Sequence, residues 1–414
     1  MGFGARRSIR RVVAVASSAL AIAGCAPSLS PQDLAFLFPA AAEVSFALNG
    51  YRQFAPSDLL VDSLVFPVDP AAGEYPRIPG IVEANDGTLV AVASIRRGSI
   101  ADDAPSSLRA AVSRDGGRTW THHDIAENPT TADGDHAVVV DPATGRVFVF
   151  GRDLYTSDDG GVTWTARPKV IAANPAGIVG EPGGPGAGIA LARGPHAGRL
   201  VVMCRAQTGP LPPSLFGLLT IADRTNATNC VLTSDDGGAT WQTSGVVQGW
   251  VGEGSVIELD DGRLYMSSRT YLLDGRRSEA YSSDGGTTWT DLRRSVLPEP
   301  TFGVNGSLTR VTDPDTGRPV VVYANVPEWD SPFGIVALAR KDLSLYVSDD
   351  ETASWRFGRV LRRGPSAYSS MVPLGSEVGV LYEAVISDLS GGLLVPDLPN
   401  GIRFARVDVR SLLR

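Results

Sequence analysis

The chain has 414 residues, including 46 glycines and 29 prolines, and a formal net charge of −8. This turn-rich composition, with no long helical periodicity, predicts an all-β chain. The acidic charge excludes a nucleic-acid partner from the expected functions. Histidine is scarce, and no spacing among the four residues supplies a metal site, so no metal and no cofactor is predicted. They are His122, His123, His136 and His196.

Residues 1–24 have the pattern of an export signal. An apolar run, VVAVASSALAIAG, is too short to span a membrane and follows Arg6, Arg7, Arg10 and Arg11. The tetrad IAGC resembles a bacterial lipobox, which implies cleavage before Cys25 and a lipid on its sulfur; an ordinary signal peptide is the alternative. Residues 25–42 then form a tether, and the remaining chain carries a charge near −12. We expect the protein to lie on the outer side of the cytoplasmic membrane and to contact the membrane only through the lipid. The alternative is that it is secreted into the medium.

The most informative pattern is an octet, S-x-D-x-G-x-T-W, that recurs along the chain. Its copies read SRDGGRTW, SDDGGVTW, SDDGGATW and SSDGGTTW, with a degenerate fifth, SDDETASW; they begin at Ser113, Ser157, Ser234, Ser282 and Ser348. Asp, Ser and Gly are typical of a tight turn, and each octet follows a short strand-like run. The octet is identified as the Asp box of sialidases and other propellers. It predicts a β-propeller, with the octets as scaffold.

Six hairpins organise the chain from residue 43 to residue 414. Five of them precede an octet, and the sixth, SSMVPLGSEVGVLYE, is followed only by GIRFARVDV. The sequence therefore predicts a six-bladed β-propeller with about four strands in each blade. The last blade is one strand short. We expect the stretch from EVSFALNG to SLVFPV to supply that strand and close the ring.

The topology of a four-stranded blade places several polar residues on one rim. The first hairpin turn and the octet turn lie on the same rim of the propeller, which we call the octet rim. The remaining connections lie on the opposite rim. Residues at those connections are Arg77, Asp102, Asp103, Glu253, Arg269, Arg340, Tyr368 and Glu383. We therefore expect three guanidinium groups, a phenol and several carboxylates near the axis at the opposite rim.

This set of groups suits a particular chemistry. Arginine binds a planar carboxylate through paired donors, which lysine cannot do. A tyrosine beside a glutamate forms a phenol whose proton the glutamate can accept. A neutral phenol can attack an anomeric carbon that bears a carboxylate, whereas a carboxylate nucleophile would be repelled; sialidases use a tyrosine for this step.

From about residue 70 to residue 410 the chain resembles the bacterial exo-α-sialidases. The resemblance rests on YPRIPG, IADDAPSS, GEGSVIELDDGRLYMSSR, ARKDLSLYVSDD, SAYSSM and LYE. It implies hydrolysis of terminal sialic acid from glycans with retention of configuration. Arg77, Arg269 and Arg340 would bind the carboxylate. Tyr368 would be the nucleophile, Glu253 its base, Asp103 the acid/base residue and Glu383 the partner of Arg77.

Several points stay open in the sequence. Pro76 separates Tyr75 from Arg77, where the family usually has an aromatic residue directly before the arginine. The adjacent Asp102 is an alternative acid/base residue. Other readings are a propeller that binds acidic glycans without cleaving them, a variant for another nonulosonic acid, and a trans-sialidase. Export favours a disulfide between Cys204 and Cys230, and two buried thiols are the alternative.

Overall fold

The computed structural model describes residues 54–126, 135–184, 186–207, 227–249, 251–270, 275–290, 292–300, 303–327, 340–384 and 401–414. The predicted export signal, Cys25, the tether and EVSFALNG lie outside these ranges. Among the helices within them, none has the length and apolar character needed to cross a membrane. The described helices are two short 3-10 turns, Pro56–Asp58 and Gly194–His196, and one α-helical turn, α1 (Arg410–Leu413).

The strands form six sheets, and the first and last parts of the chain share one of them. The strand β1 (Val61–Pro67) belongs to the last blade. Blade 1 follows with β2 (Glu74–Glu83), β3 (Leu89–Arg97), β4 (Ser106–Ser113) and β5 (Thr121–Ala126), paired antiparallel in chain order. The six-bladed β-propeller predicted from the octets and the six hairpins is confirmed.

Blades 2 and 3 contain more strands than the four expected, because short segments between them pair with both sheets. Blade 2 has β6 (Ala137–Val140), β7 (Val147–Phe150), β8 (Leu154–Ser157) and β9 (Thr165–Arg167). Between the blades run β10 (Ile171–Ala172), β11 (Glu181–Pro182), β12 (Gly186–Ala187) and β13 (Ile189–Ala190). Blade 3 has β14 (Leu200–Gln207), β15 (Ala227–Ser234), β16 (Trp241–Thr243) and β17 (Val247–Gln248). Of the short segments, β12 pairs parallel with β6, whereas β13 pairs antiparallel with β14.

Blades 4, 5 and 6 have four strands each. Blade 4 has β18 (Val251–Glu258), β19 (Leu264–Thr270), β20 (Arg276–Ser282) and β21 (Arg293–Pro298). Blade 5 has β22 (Ser307–Thr312), β23 (Pro319–Asn325), β24 (Lys341–Ser348) and β25 (Arg356–Pro365). Blade 6 has β26 (Ser369–Leu374), β27 (Glu377–Glu383) and β28 (Gly401–Asp408), and β1 pairs with β28 to complete it. The expected closure by the N-terminal strand is confirmed for SLVFPV.

The core consists of layers between neighbouring blades. In β3, Val90 and Val92 pack with Val138 and Val149 of blade 2. The alternate residues of β3, such as Ala91, pack on the other face against residues of blade 6. Successive strand residues point to opposite faces of a sheet, so a strand between two blades is apolar on both faces. This explains why β3 has no polar side in its sequence.

The two rims differ as the topology predicts. The octet turns lie where the third strand of a blade meets the fourth, and each of four octets contacts the previous blade in the ring. An added Cβ at Gly161 would lie 2.7 Å from Val90 Cγ1, and one at Gly238 would lie 2.2 Å from Phe148 Cζ. The octets therefore hold neighbouring blades together, and the connections on the opposite rim are left to form a site.

Candidate active site

Arg77 and Glu383 join the first and last blades. Arg77 Nε donates to Glu383 Oε1 at 2.7 Å, and the backbone N–H of Ile78 donates to the same oxygen at 2.8 Å. The other oxygen of Glu383 accepts a bond from the backbone N–H of Tyr368 at 3.2 Å. Ile78 has φ of +62°, an uncommon conformation for a β-branched residue, beside a register shift between Arg77 and Gly80. This bend brings Arg77 to Glu383 despite Pro76.

Tyr368, Glu253 and Arg269 form a closed triangle of hydrogen bonds. The Tyr368 hydroxyl donates to Glu253 Oε1 at 2.6 Å and accepts from Arg269 Nη1 at 2.8 Å. The same Arg269 nitrogen donates to Glu253 Oε2 at 2.7 Å. Tyr368 comes from the start of blade 6, 115 residues from Glu253 and 99 from Arg269 in blade 4. The phenol, its potential base and one guanidinium thus meet across the axis.

The other two arginines of the predicted triad flank the Tyr368 ring. Arg340 Cζ lies 5.5 Å from the ring centroid and Arg77 Cζ lies 5.8 Å from it. Arg340 Nη2 also donates to the carbonyl of Gly303 at 3.3 Å, and a Cβ on Gly303 would lie 2.5 Å from Arg269 Cγ. Gly303 therefore allows Arg269 and Arg340 to approach each other. All three predicted carboxylate-binding arginines surround one tyrosine.

Burial and charge set the protonation of the triangle. Burial would raise the pKa of Glu253, but the charges of Arg269 and Arg205 and the Tyr368 hydrogen bond lower it below its ordinary value. Burial raises the pKa of Tyr368 well above 10, with the Glu253 charge adding to the effect and Arg269 and Arg340 opposing it. The site therefore holds an anionic glutamate bonded to a neutral phenol. A phenol and a carboxylate in these states can exchange the phenol proton along their hydrogen bond.

The two candidate acid/base residues lie on the exposed loop between β3 and β4. Asp102 Oδ1 pairs with Arg96 Nη2 at 2.8 Å, and its side chain is 94% exposed. Asp103 is also exposed. A general acid must reach a leaving group outside the pocket, so an exposed loop position suits that function. The hydrogen bonds of the triangle join Tyr368, Glu253 and Arg269, and they do not include Asp103.

Sequence reasoning missed two charged residues of the site, Asp135 and Arg205. Arg205 Nη2 lies 2.8 Å from Asp135 Oδ2. Burial raises the pKa of Asp135 to about 6, with Arg205 opposing the shift and Glu253 adding to it. The pair therefore lies within electrostatic reach of the triangle. Arg205 lies five residues after Leu200, which pairs with the octet residue Ser234. Arg269 lies five residues after Leu264, which pairs with the octet residue Ser282. This equal spacing from the octet strand could have revealed Arg205 in the sequence.

Sequence reasoning also missed a buried ion pair, Arg277 with Glu299, that lies beside the end of the strand carrying Arg269. Arg277 is fully buried, and its Nη1 lies 2.5 Å from Glu299 Oε1. The other oxygen of Glu299 accepts a bond from the backbone N–H of Thr270 at 2.8 Å. Arg277 also donates to the side chain and carbonyl of Ser267. This buried pair ties together the end of β19, which positions Arg269.

Cys204 and Cys230 face each other across β14 and β15 and form a disulfide, the first of the two alternatives left open by the sequence. Gly180 lies against both sulfurs, since a Cβ there would be 2.6 Å from Cys204 Sγ. The bond joins the strand that carries Arg205 to its neighbour. It therefore fixes the backbone beside the Asp135–Arg205 pair.

The fold and the site together define an Asp-box propeller in which three arginines surround a buried tyrosine. The chain matches the model of the BNR repeat-like domain over residues 136–380. Because this match covers more than half of its length, the chain belongs to the BNR repeat-like domain family. The predicted resemblance to sialidases is also confirmed by the relatives that it matches.

Two of these relatives are bacterial sialidases. The sialidase of Micromonospora viridifaciens is 29% identical over 421 residues, covering 91% of this chain and 58% of that protein. The sialidase of Clostridium perfringens is 29% identical over 354 residues, covering 75% of this chain and 86% of that protein. The chain thus spans less than two thirds of the first relative and most of the second.

Solved structures share the fold at lower sequence identity. A Hadza microbial sialidase superposes with a TM-score of 0.65 at 22% identity, covering 85% of this chain and 69% of that one. The intramolecular trans-sialidase of Ruminococcus gnavus superposes with a TM-score of 0.64 at 18% identity, covering 86% of this chain and 99% of that one. At this identity the likeness concerns the architecture.

Proposed function

We propose that this protein is a retaining exo-α-sialidase that releases terminal sialic acid from glycoconjugates. The observation that carries the proposal is the Tyr368–Glu253–Arg269 triangle, with Arg77 and Arg340 over the faces of the phenol. A protein that only binds acidic glycans needs the arginines but has no use for a buried carboxylate hydrogen-bonded to a buried phenol. The sialidase relatives support the same substrate class.

In the first half of the reaction, the three arginines bind the sialic acid carboxylate. The Tyr368 oxygen attacks the anomeric carbon, and the phenol proton passes to Glu253 as the bond forms. Asp103 protonates the departing glycosidic oxygen. A covalent sialyl–tyrosine results, and the neutral nucleophile avoids repulsion from the substrate carboxylate.

In the second half, Asp103 acts as a base and takes a proton from water. The water oxygen attacks the anomeric carbon, and the bond to Tyr368 breaks as Glu253 returns its proton to the phenolate. Two displacements at one carbon give net retention of configuration. No step requires a metal ion supplied by the protein.

The proposed location follows from the N-terminal sequence. The chain is exported and anchored by a lipid on Cys25 outside the cytoplasmic membrane, where glycans are accessible. Labelling of the expressed protein with a palmitate analogue, lost in Cys25→Ser, tests this.

The decisive experiment compares the full chain with its Tyr368→Phe variant on a fluorogenic α-sialoside without added metal. The variant should lose at least about 100-fold in kcat, because it lacks the attacking oxygen. It should still bind an unsaturated sialic acid analogue, since the arginines remain. Nuclear magnetic resonance of the unmodified protein's reaction should detect the α-anomer first.

Tyr265→Phe is the matched control, because its hydroxyl is also buried and bonded to a glutamate, Glu279, at 2.8 Å. Its turnover should stay near that of the unmodified protein. Full turnover in Tyr368→Phe would remove Tyr368 from the mechanism. Binding of the analogue by an unmodified protein that hydrolyses no nonulosonic acid glycoside would identify a binding module instead.

A further inference from the structure

Arg205 occupies in blade 3 the position that Arg269 occupies in blade 4. Leu200 is paired with Ser234, the first residue of one octet, and Leu264 is paired with Ser282, the first residue of the next. Arg205 and Arg269 each lie five residues further along their strands. Because side chains alternate along a strand, equal offsets place both arginines at the same height and on the same face of their sheets. Arg205 therefore faces the same way as Arg269, which bonds to Tyr368.

The surroundings of Arg205 are built to hold it there. Asp135, from blade 2, pairs with its guanidinium at 2.8 Å, and the side chains of Asp135 and Arg205 are 16% and 31% exposed. Gly183 lies directly against the aliphatic stem, since a Cβ at that position would be 2.7 Å from Arg205 Cγ. The pair is thus positioned and keeps part of its surface exposed to solvent. It places a carboxylate acceptor beside a guanidinium donor group.

Blade 3 lies across the ring from blade 6, which provides Tyr368 and Glu383. Arg77 and Arg340 come from blades 1 and 5, on either side of blade 6. A sugar whose carboxylate and anomeric carbon meet these residues extends its far side toward blades 2 and 3. In the pyranose ring of a nonulosonic acid, carbon 5 lies opposite the anomeric carbon, carbon 2. In that orientation the group on carbon 5 would face Arg205 and Asp135.

We propose that Arg205, together with Asp135, is a specificity-determining residue that favours a hydroxyl over an acetamido group at carbon 5 of the sugar. This rests on the proposed sialidase function and names its preferred substrate as a deaminated nonulosonic acid. A hydroxyl donates to the carboxylate and accepts from the guanidinium through one oxygen. An acetamido group can also donate and accept, but it ends in a methyl group that would displace water from the charges without replacing its hydrogen bonds.

The test uses the full chain and the 4-methylumbelliferyl α-glycosides of the deaminated acid and of N-acetylneuraminic acid. The unmodified protein should have the higher kcat/KM for the deaminated substrate. Arg205→Met should lower that value by about 10- to 100-fold, as expected for a lost hydrogen bond to a charged group. Its kcat/KM for the N-acetyl substrate should change by less than about 3-fold. Arg205→Lys, which retains the charge, should give an intermediate ratio.

Arg199→Met is the matched control, because Arg199 forms a similar pair with Asp235, at 2.7 Å, on the octet rim. It should leave the ratio unchanged. Equal losses on both substrates in Arg205→Met and Arg205→Lys, with both variants folded by circular dichroism, would overturn the proposal. A preference of the unmodified protein for the N-acetyl substrate would also overturn it. Failure of the folded protein to hydrolyse either glycoside would instead refute the proposed function.

Discussion

Tyr368 is surrounded by three cations and bonded to an anion, yet its phenol is neutral. Burial outweighs the arginine charges and raises its pKa well above 10. Free phenolate is therefore not the nucleophile at neutral pH. In the proposed mechanism Glu253, whose pKa is below its ordinary value, therefore takes the proton while the bond to carbon forms. The short bond between Tyr368 and Glu253 is the path for that proton.

Asp103 and Asp102 can be distinguished through the leaving group. A general acid matters most when the departing oxygen is basic, as in sialyllactose, and least for the acidic 4-methylumbelliferone. Asp103→Asn should therefore lower kcat/KM by about 100-fold or more on sialyllactose and by much less on the fluorogenic substrate. Asp102→Asn, which loses its pair with Arg96, should affect both substrates alike and weakly. The opposite pattern would assign the function to Asp102.

At the scale of single elements, the octet is a self-contained turn. In the third copy, Asp236 accepts bonds from Ser234, from the backbone of Thr240 and from its hydroxyl. The Thr240 hydroxyl is the main cause of the lowered pKa of Asp236. The degenerate fifth copy keeps the Ser348–Asp350 bond, although Glu351 and Thr352 adopt positive φ in place of glycines. Side-chain hydrogen bonds thus maintain the turn without glycine.

Substitutions at two neighbouring glycines of the third octet distinguish the cost of backbone strain from the cost of overpacking. Gly237 and Gly238 both have positive φ, but only a Cβ at Gly238 would collide with Phe148, at 2.2 Å. Gly237→Ala should cost about 1 kcal/mol of unfolding free energy. Gly238→Ala should cost about 2–4 kcal/mol, because overpacking adds to the strain. Urea unfolding followed by tryptophan fluorescence measures both; equal costs would show that the octet does not press on blade 2.

At the scale of the whole molecule, one short strand closes the ring. The strand β1 pairs with β28 from Val61 to Pro67 and buries Val65 and Phe66. Its Ser63 hydroxyl donates to the Gly117 carbonyl at 2.6 Å in the octet of blade 1. The strand therefore binds blade 6 and blade 1 at once. Closure also sets the distance between Arg77 in blade 1 and Glu383 in blade 6.

Removal of the closing strand should destabilise the propeller and misplace Arg77. A variant comprising residues 68–414 should melt about 10 °C or more below the full chain, because it no longer buries Val61, Val65 and Phe66. A synthetic peptide of residues 54–67 should raise its melting temperature in proportion to the logarithm of peptide concentration. The same peptide with Phe66→Asp is the control. An unchanged melting temperature in the shortened chain would show that closure does not depend on β1.

Much of the fold was predictable because its signals are local. The octet turns, the hairpins and the missing strand of the last blade are short patterns of turn formers and alternating residues. The extra strands of blades 2 and 3 were not predictable, since β12 and β13 are two residues long and are defined by their partners. Likewise, the site residues lie at connections on one rim, which strand order predicts. Their bonds, such as that between Arg77 and Glu383, span up to 306 residues and depend on ring geometry.

The sequence by itself determined the number of blades and the rim on which the three arginines and Tyr368 lie. Local turn chemistry and strand alternation were sufficient for that. Only the tertiary structure decided that Arg205 pairs with Asp135, that Cys204 bonds Cys230, and which groups surround Tyr368. The groups around Tyr368 and the Asp135–Arg205 pair depend on distances between strands of different blades, and closure of the ring determines those distances. The disulfide depends on the register of β14 against β15 within one blade.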